Sequence, residues 1–227
     1  MTKIKLCGLT RLTDIEVSNR LRPEYVGFVF AQKSRRYITP EKAAELKKAL
    51  DPAIQAVGVF VDEDPDVIAQ LLDKGVIDLA QLHGNETEKD IMKLKGRGMP
   101  VIRAFQLKKA ASAKSVASDS TCGAQGGQEE CQDYFYTGAV LTVARNSCAD
   151  HVLLDSGAGC GKAFDWSMLE NFGRPYFLAG GLDPENVTEA VRMLHPYAVD
   201  VSSGIETDGM KDHAKMEAFV RAVRNCR

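Results

Sequence analysis

Short apolar segments recur along the chain, and amphipathic segments separate most of them. Eight apolar segments, rich in Val, Ile and Phe, begin at residues 3, 25, 56, 79, 100, 151, 176 and 198. Their apolar residues stand at consecutive positions, which is typical of parallel strands that are covered on both faces. Most of the intervening segments have apolar residues three and four positions apart, as amphipathic helices do. The pattern therefore predicts strands that alternate with helices.

Three of the predicted helices share one residue order at their start. Thr or Asp is followed by Pro and then by an acid at 39–41, 64–66 and 183–185. Thr and Asp cap helix N-termini, Pro suits the first helical position, and an acid is favourable near the positive end of the helix dipole. Gly75 is placed to end the helix that starts near residue 65, in a left-handed conformation. These boundaries support the helical interpretation.

Eight alternating strands and helices fit either a closed (β/α)₈ barrel or an open doubly wound sheet. An open nucleotide-binding sheet normally has Gly-x-Gly-x-x-Gly after its first strand, whereas "CGLTRL" offers one glycine. The 227 residues are enough for one large core. We therefore predict an α/β protein with a single (β/α)₈ TIM-barrel domain over residues 1–227.

One interval between strands is longer than the others. Strand starts lie about 20 to 30 residues apart, except between residues 100 and 151. Residues 108–133 are rich in Ala, Ser, Gly and Gln, which predicts a surface extension with a mobile middle. The segment that begins at residue 133 fits a ninth strand or the missing helix. Because eight strands are already assigned, the helix is preferred.

Composition and charge narrow the classes of function. The 29 basic and 31 acidic residues give a net charge of −2, so no general attraction to nucleic acid or to an anionic membrane is expected. The six cysteines lack zinc-site spacing and disulfide-scaffold density, which favours reduced thiols. Neither a signal sequence nor about 20 consecutive apolar residues is found. A cytoplasmic location is expected.

Polar residues and glycines stand where the predicted strands end. In a (β/α)₈ barrel the active site forms at the carboxyl ends of the strands, so these residues are the candidates for chemistry. The residues at or near the strand ends are Cys7, Gln81, His83, Arg103, Asp155, Gly180, Gly181, Asp200, Ser202, Ser203 and Gly204. Taken singly, His83 is at least as well explained as a structural histidine.

Cys7 and Asp155 are the candidates for proton transfer. A lone cysteine in a strand is by default a small core residue, but a strand end beside Gly8 makes that explanation weaker. A carboxylate after four apolar residues is costly to bury without partners. Asp155 therefore serves either as an acceptor for loop N–H groups or as an acid or base, and the sequence alone leaves both explanations open.

The loops after the seventh and eighth strands are glycine-rich, as "LAGGLDPENV" and "VSSGIE". In many barrels these two loops bind phosphate through backbone N–H groups, although tight turns also need glycine. The segment "KSRRYITP" places Arg35 and Arg36 near the barrel mouth. Either arginine could bind a substrate carboxylate, but a solvated charge cluster has the same composition.

Seven segments, taken together, carry a resemblance to a known family. They are "KLCGLT", "GFVF…KSRRYITPE", "VGVFVDEDP", "QLHGNE", "LLDSGAGCGKAFDW", "AGGLDPENV" and "AVDVSSGIE…KD". In order and spacing they resemble the phosphoribosylanthranilate isomerases, (β/α)₈ enzymes of tryptophan biosynthesis. The resemblance covers nearly the whole chain apart from roughly 108–150. The loop after the sixth strand departs from the usual Gly-Gly-Ser-Gly-Lys, because Ala158 and Cys160 stand at two of its positions.

The resemblance implies a reaction and a role for particular residues. The reaction is the Amadori rearrangement of N-(5-phosphoribosyl)anthranilate to 1-(2-carboxyphenylamino)-1-deoxyribulose 5-phosphate, and it requires no metal or redox cofactor. Cys7 matches the general base, Asp155 the general acid and Arg36 the arginine that holds the anthranilate carboxylate. The phosphate site is expected in the two glycine-rich loops. In the substrate complex, the pKa of Asp155 is expected to rise and that of Cys7 to fall.

Two other interpretations of the sequence remain. A sister phosphoribosyl-sugar barrel, such as an indole-glycerol phosphate synthase or an aldose isomerase, would share the phosphate loops. The synthase is expected to have lysines and glutamates at strand ends, and these are scarce here. A catalytically silent barrel could bind a phosphorylated ligand or a partner protein. The partner expected on the leading interpretation is a small phosphorylated sugar-anthranilate substrate, and the protein is expected to be a monomer or a homodimer.

Overall fold

The eight predicted strands are present and close into one parallel barrel. The computed structural model describes residues 1–107, 128–157 and 166–226, with the backbone alone for 128–136. The strands are β1 (Lys3–Cys7), β2 (Tyr25–Val29), β3 (Gln55–Phe60), β4 (Leu79–Leu82), β5 (Val101–Gln106), β6 (His151–Asp155), β7 (Tyr176–Ala179) and β8 (Ala198–Val201). The prediction of a single-domain (β/α)₈ barrel is confirmed.

Helices surround the barrel on its outer side. The described helices are α1 (Leu12–Leu21), α2 (Pro40–Ala49), α3 (Pro65–Asp73), α4 (Glu88–Lys95), α5 (Gln128–Asn146), α6 (Val187–Leu194) and α7 (His213–Arg224). A short 3₁₀ helix, Trp166–Leu169, precedes β7. No helix in the described part of the chain is long and apolar enough to cross a bilayer.

Hydrogen bonding between the first and last strands closes the barrel. β1 pairs with β2 on one side and with β8 on the other, both in parallel. Lys5 is opposite Asp200 and Cys7 is opposite Gly27 in these ladders. Because residues in register share a face of the sheet, Lys5 and Asp200 point to the same side. The register therefore brings together residues that are far apart in the sequence.

The strands are apolar on both faces because each face is covered. One face fills the barrel interior, where Val57, Ile102 and Phe177 belong to a buried cluster. The other face packs against the helices, with Ile4 and Leu6 among the fully buried residues. Burial of such a side chain stabilises the fold by about 1.5–3 kcal/mol. The uninterrupted apolar segments thus reflect a sheet without a solvent-exposed face.

Two of the three predicted helix starts are confirmed. The Thr39 side chain accepts a hydrogen bond from the Lys42 N–H at 3.2 Å, and the Asp64 side chain accepts one from the Asp66 N–H at 2.8 Å. Gly75 follows α3 with φ of +67°, as expected. These local sequence signals determine where α2 and α3 begin and where α3 ends.

The third predicted start is wrong by three residues. The Asp183 carboxylate accepts hydrogen bonds from the N–H groups of Glu185 and Asn186 at 2.8 and 2.9 Å. This arrangement caps a turn, and α6 begins only at Val187 with Asn186 as its N-cap. An Asp side chain stabilises a turn by the same local hydrogen bonds that cap a helix, so sequence does not separate the two.

The segment after β5 contains the predicted helix rather than a ninth strand. Helix α5 begins at Gln128, five residues before the expected start. Residues 128–133, predicted as the end of a surface extension, are therefore helical, and Gln and Glu at 128–130 are strong helix formers. The remainder of that extension, 108–127, lies outside the described residues. Thr137 Oγ1 donates to the Leu107 carbonyl at 2.7 Å and fastens α5 to the end of β5.

A small hairpin follows β8 and was not predicted. Its two-residue strands are β9 (Glu206–Thr207) and β10 (Met210–Lys211), which pair antiparallel. A 3₁₀ turn, Ser203–Ile205, connects β8 to this hairpin. The hairpin begins directly after the second predicted phosphate loop, so it lies at the carboxyl end of the barrel.

Candidate active site

Cys7 and Asp155 both stand at carboxyl ends of barrel strands with their side chains on the interior face. Cys7 belongs to a small buried interior cluster with Val29 and Val59. Asp155 is opposite Ala179 in the ladder, and Ala179 belongs to the barrel-interior cluster. The barrel therefore directs both candidate proton-transfer groups toward one mouth.

The Cys7 thiol lies above a buried ion pair. Lys5, one step along the same face of β1, is fully buried and its Nζ lies 3.0 and 2.9 Å from the two carboxylate oxygens of Asp200. Burial raises the pKa of the Cys7 thiol, and the positive charge of Lys5 opposes this without reversing it. In the resting structure Cys7 is therefore a neutral thiol with a cation beneath it.

Asp200 was predicted as a substrate contact, and the structure places it against Lys5. Both of its carboxylate oxygens accept hydrogen bonds from Lys5, and only 8% of its side chain is exposed. Direct contact with substrate stays a prediction. Sequence reasoning missed Lys5, although the two-residue periodicity of "KIKLC" places Lys5 and Cys7 on one face of a strand.

Gly8 allows Arg36 to pass over the end of β1. Gly8 has φ of +79°, and a Cβ at this position would lie 2.5 Å from Cδ of Arg36. Both its conformation and this close approach favour glycine. The Ser202 hydroxyl donates to the Cys7 carbonyl at 3.1 Å and links the ends of β1 and β8. The residues around Cys7 thus fix both its backbone and the path of Arg36.

The Asp155 carboxylate is held by a histidine ring and a main-chain N–H group. Its Oδ1 accepts a hydrogen bond from the Gly157 N–H at 2.9 Å, and its Oδ2 lies 3.4 Å from His83 Nε2. Burial alone would raise the pKa of Asp155, but the hydrogen bonds from His83 and Gly157 outweigh it and leave that pKa below its ordinary value. Asp155 is therefore ionised in the resting structure.

Gln81 and His83 form a chain of contacts that ends at Asp155. Gln81 is almost fully buried, and its Nε2 lies 3.0 Å from His83 Nδ1. When the amide donates to Nδ1, the ring proton is on Nε2, where it can donate to Asp155. Gln81 Oε1 is buried without a hydrogen-bond partner among the described residues. The structure thus brings together three residues that were predicted for the site.

Gly180 leaves room for Asp155. A Cβ at this position would lie 2.6 Å from Asp155 Oδ1 and 2.7 Å from the Gly157 nitrogen. The residue also has φ of +96°, which disfavours any other side chain. Gly180 was predicted as part of a phosphate loop, and this packing gives it a second reason to be glycine.

The loops after β7 and β8 pack closely against each other. A Cβ on Gly204 would lie 1.9 Å from the Leu182 carbonyl oxygen, so the two backbones touch here. Gly181, with φ of +65°, and Ser203 are exposed at the same end of the barrel. The two predicted phosphate loops are therefore adjacent, and their binding of phosphate stays a prediction.

Arg36 is held by a carboxylate that the sequence reasoning did not assign. Its Nε and Nη2 donate to Glu206 Oε1 and Oε2 at 2.6 and 2.9 Å. Glu206 also accepts from Lys211 Nζ at 2.7 Å and from Arg35 Nη2 at 3.0 Å. Arg36 is only 21% exposed, so it is not a freely solvated cation. This contact could not be predicted from the sequence around Arg36, because Glu206 lies about 170 positions away.

These contacts set the charge state of the cluster. Burial tends to raise the pKa of Glu206, but the hydrogen bonds from Arg36 and Lys211 dominate and lower it to about 2. Burial lowers the pKa of Lys211, and Glu206 only partly offsets this. The hairpin β9–β10 thereby supplies an ionised carboxylate and a second amine beside the loop that carries Arg36.

Several other residues noted in the sequence lie apart from these contacts or are structural. Arg103 forms an ion pair with the buried Glu86 on the other face of β5 from Ile102. Cys148 and Cys226 are free thiols, and neither contacts Cys7. Across residues 1–107, 128–157 and 166–226, no three His, Cys, Asp or Glu side chains are grouped as metal ligands would be. Ala158 and Cys160 lie outside the described residues.

Known proteins are similar to this chain in both sequence and fold. The family profile described as N-(5'phosphoribosyl)anthranilate (PRA) isomerase matches residues 4–125 and 131–222. An N-(5'-phosphoribosyl)anthranilate isomerase from Endomicrobium trichonymphae is 39% identical over 231 residues, covering 99% of this chain and 100% of the relative. One from Thermoanaerobacter sp. strain X514 is 38% identical over 229 residues, with 100% of each chain covered.

A solved structure with the same architecture is the phosphoribosyl anthranilate isomerase from Thermotoga maritima. It is 33% identical, with a TM-score of 0.79 and 99% of each chain covered. A second crystal structure of such an isomerase, in complex with reduced 1-(o-carboxyphenylamino)-1-deoxyribulose 5-phosphate, has a TM-score of 0.76 at 33% identity and the same coverage. The profile and these full-length matches establish that the chain belongs to the N-(5'-phosphoribosyl)anthranilate isomerase family.

Proposed function

We propose that this protein catalyses the Amadori rearrangement of N-(5-phosphoribosyl)anthranilate in tryptophan biosynthesis, with Cys7 as general base and Asp155 as general acid. These roles are supported by one observation. A thiol and a carboxylate occupy the last interior-facing positions of two strands, at the same mouth of the barrel. Family membership supplies the substrate and the reaction. The groups present suffice for one proton donation and one proton abstraction.

The first step opens the sugar ring. Protonated Asp155 donates to the furanose ring oxygen, the C1′–O bond breaks, and the anthranilate nitrogen takes up the positive charge as a Schiff base. Cys7 thiolate then removes the proton from C2′, and the electrons of that bond neutralise the Schiff base to give an enolamine. The enolamine tautomerises to the ketone. Protons balance, because the ring oxygen gains the proton of Asp155 and the sulfur gains the proton of C2′.

The resting protonation state is that of the enzyme after turnover. A neutral Cys7 and an ionised Asp155 hold one proton between them, and so do the thiolate and the carboxylic acid that start the reaction. Substrate binding therefore needs to move one proton from Cys7 to Asp155, with no net uptake or release of protons. Exclusion of water by the substrate raises the pKa of a buried carboxyl, and Lys5 and Lys211 lower that of the thiol.

Opposite ends of the substrate are held by different parts of the mouth. Arg36 receives the anthranilate carboxylate through its planar guanidinium. The backbone of the loops containing Gly180, Gly181, Ser203 and Gly204 receives the phosphate, since glycine lets an anion approach main-chain N–H groups. Holding both ends places the sugar between acid and base, which makes the reaction effectively unimolecular.

Gln81 and His83 complete the proposed substrate contacts on the Asp155 side. Gln81 Oε1 lacks a partner among the described residues and lies beside His83, so it is available as an acceptor for a sugar hydroxyl. Asp200 contributes through Lys5, beneath the base. The oligomeric state, monomer or homodimer, and the cytoplasmic location are part of the same proposal.

A fluorescence assay tests this function. Rearrangement destroys the fluorescent anthranilate conjugate, so adding the enzyme to freshly formed N-(5-phosphoribosyl)anthranilate is expected to speed the decay of emission far above the spontaneous rate. The product is identified as the deoxyribulose phosphate by mass and by its reactivity as a ketone. Folded protein that leaves the emission unchanged would contradict the assignment.

A further inference from the structure

We propose that Glu206 is a positioning residue for catalysis, which orients Arg36 so that one edge of its guanidinium faces the substrate carboxylate. This inference rests on the carboxylate-binding role of Arg36 proposed above. It assigns a function to the hairpin β9–β10, which contributes none of the proposed acid, base or phosphate contacts. Its support lies in the geometry, burial and charge of Glu206.

The hydrogen bonds to Glu206 occupy one edge of the Arg36 guanidinium. Nε and Nη2 donate to the two different oxygens of Glu206, at 2.6 and 2.9 Å. A two-point contact of this kind fixes the plane as well as the position of the group. Nη1 makes no hydrogen bond to any residue in the described part of the chain. The opposite edge therefore remains available for a second planar carboxylate.

Glu206 is itself held rigidly. Its side chain is 4% exposed and accepts from Lys211 Nζ, whose side chain is 2% exposed. The Lys215 Nζ donates to the Glu206 carbonyl at 2.7 Å. The side chain and the backbone of Glu206 are thus both fixed, which a residue that orients another must be.

The charge balance of the cluster favours an anionic ligand. Arg35, Arg36 and Lys211 surround the single carboxylate of Glu206. The surplus of cations over carboxylates creates a local positive potential, which attracts an anionic group such as a carboxylate. Lys211 also donates to the Ser202 carbonyl at 2.9 Å, so the cluster is joined to the loop beside Cys7. Arg36 is therefore placed relative to the base.

The test compares Glu206→Gln with Arg36→Ala and with the double variant. A glutamine retains one acceptor but presents N–H groups where the second oxygen stood, so the two-point contact is lost. We expect KM for the natural substrate to rise about 10- to 100-fold, the range for loss of a charged hydrogen bond, with a smaller fall in kcat. In the Arg36→Ala background, Glu206→Gln is expected to change KM less than about threefold, because the group that it orients is gone.

A second substrate distinguishes a loss of Arg36 orientation from a general loss of activity. The N-(5-phosphoribosyl)aniline analogue lacks the carboxylate, so kcat/KM for its rearrangement is expected to be nearly the same with and without Glu206→Gln. Glu45→Gln serves as the matched control, because Glu45 forms an exposed ion pair with Lys42 on α2. If Glu206→Gln is unstable, Glu206→Gln with Lys211→Met removes both buried charges together and is tested in the same way.

The outcomes divide clearly. A rise in KM that is specific to the carboxylated substrate and disappears in the Arg36→Ala background supports the proposal. Equal losses for both substrates, or losses that add to those of Arg36→Ala, overturn it and leave Glu206 as a structural residue.

An NMR measurement keeps this test apart from the test of function. The Nε–H resonance of Arg36, identified by its disappearance in Arg36→Lys, is expected to be protected from exchange in the starting protein and unprotected in Glu206→Gln. If the starting protein is inactive, the proposed function fails, and this resonance still decides whether Glu206 holds Arg36. Unchanged protection in Glu206→Gln would contradict the inference.

Discussion

The two sides of the barrel mouth are built differently around Cys7 and Asp155, the two proposed proton-transfer groups. Cys7 is surrounded by full charges, with Lys5 and Asp200 beneath it and the Glu206 cluster beside it. Asp155 is held instead by a histidine and a main-chain N–H. Cations near a thiol favour its anion, whereas a carboxyl group that is mostly buried and held by a histidine and one main-chain N–H can accept a proton without leaving a buried lysine unpaired. The difference suits one group to act as base and the other as acid.

The largest effect is expected from removing either proton-transfer group. Cys7→Ala and Asp155→Asn are each expected to lower kcat by about 10²–10⁴, the usual contribution of general acid or base catalysis. Both variants are expected to stay folded at the assay temperature, and Asp155→Asn to lose the stabilisation that the ionised carboxylate provides. Steady-state kinetics by the fluorescence assay and thermal unfolding measure the two effects. Cys148→Ala is the matched control, since Cys148 is a free thiol outside the site. Full activity in Cys7→Ala would contradict the proposed role of Cys7 as general base.

The second prediction concerns the buried charges under Cys7. Lys5→Met leaves Asp200 buried without its cation, so the free energy of unfolding is expected to fall by about 3–5 kcal/mol, as measured by urea denaturation. Because Lys5 lowers the pKa of the thiol, its loss is also expected to shift the pH midpoint of Cys7 alkylation upward. An unshifted midpoint would show that Lys5 has no electrostatic effect on the base.

A double variant separates stability from chemistry on this side. Lys5→Met with Asp200→Leu replaces both charges by apolar groups, and it is expected to recover much of the lost stability. Because Asp200 raises the pKa of the thiol and Lys5 lowers it more, the alkylation midpoint is expected to return only part of the way to that of the starting protein. Recovery of both properties would mean that Lys5 acts only as a structural partner of Asp200.

The smallest effect is expected from replacing His83, which contacts Asp155. His83→Asn removes a donor to Asp155, so the pKa of Asp155 is expected to rise toward its ordinary value of 3.8. In the starting protein, ionised Asp155 stabilises the fold above about pH 3.8, and this contribution is lost as the pH falls through the lower folded-state pKa. The variant is expected to lose part of that acid-range dependence. Carbon-13 NMR titration of the carboxyl measures the shift, and an unchanged pKa would exclude the contact.

Local sequence determined most of the fold. The eight strands and the barrel follow from apolar segments and their spacing, and Thr39 and Asp64 mark helix starts by contacts within three residues. Where local signals are shared by two structures, as at Asp183, the boundary was wrong. The hairpin β9–β10 was missed because strands of two residues carry no periodicity.

The site was predicted less completely, because its partners are distant in sequence. Strand-end position and resemblance to a family singled out Cys7, Asp155 and Arg36. The partners Lys5–Asp200 and Arg36–Glu206 are separated by 195 and 170 positions. The register of β1 against β8 brings the first pair together, and the folded hairpin β9–β10 brings Glu206 to Arg36. The pKa values of Cys7 and Asp155 also depend on burial and hydrogen bonds, and so does the difference between them. It is therefore a property of the folded barrel rather than of any segment.

Closure of the barrel through β1 and β8 has a consequence for how the enzyme becomes active during synthesis. Cys7, Lys5 and Arg36 leave the ribosome before Asp200, Glu206 and Lys211, which follow them by more than half of the barrel. Until Asp200 and Glu206 are made, Lys5 and Arg36 lack their partners in the folded barrel, and β1 has one open edge. A nascent chain that has reached β7 therefore carries its thiol without the charged groups proposed to make it a base, and the complete site forms only with β8 and the hairpin that follows it.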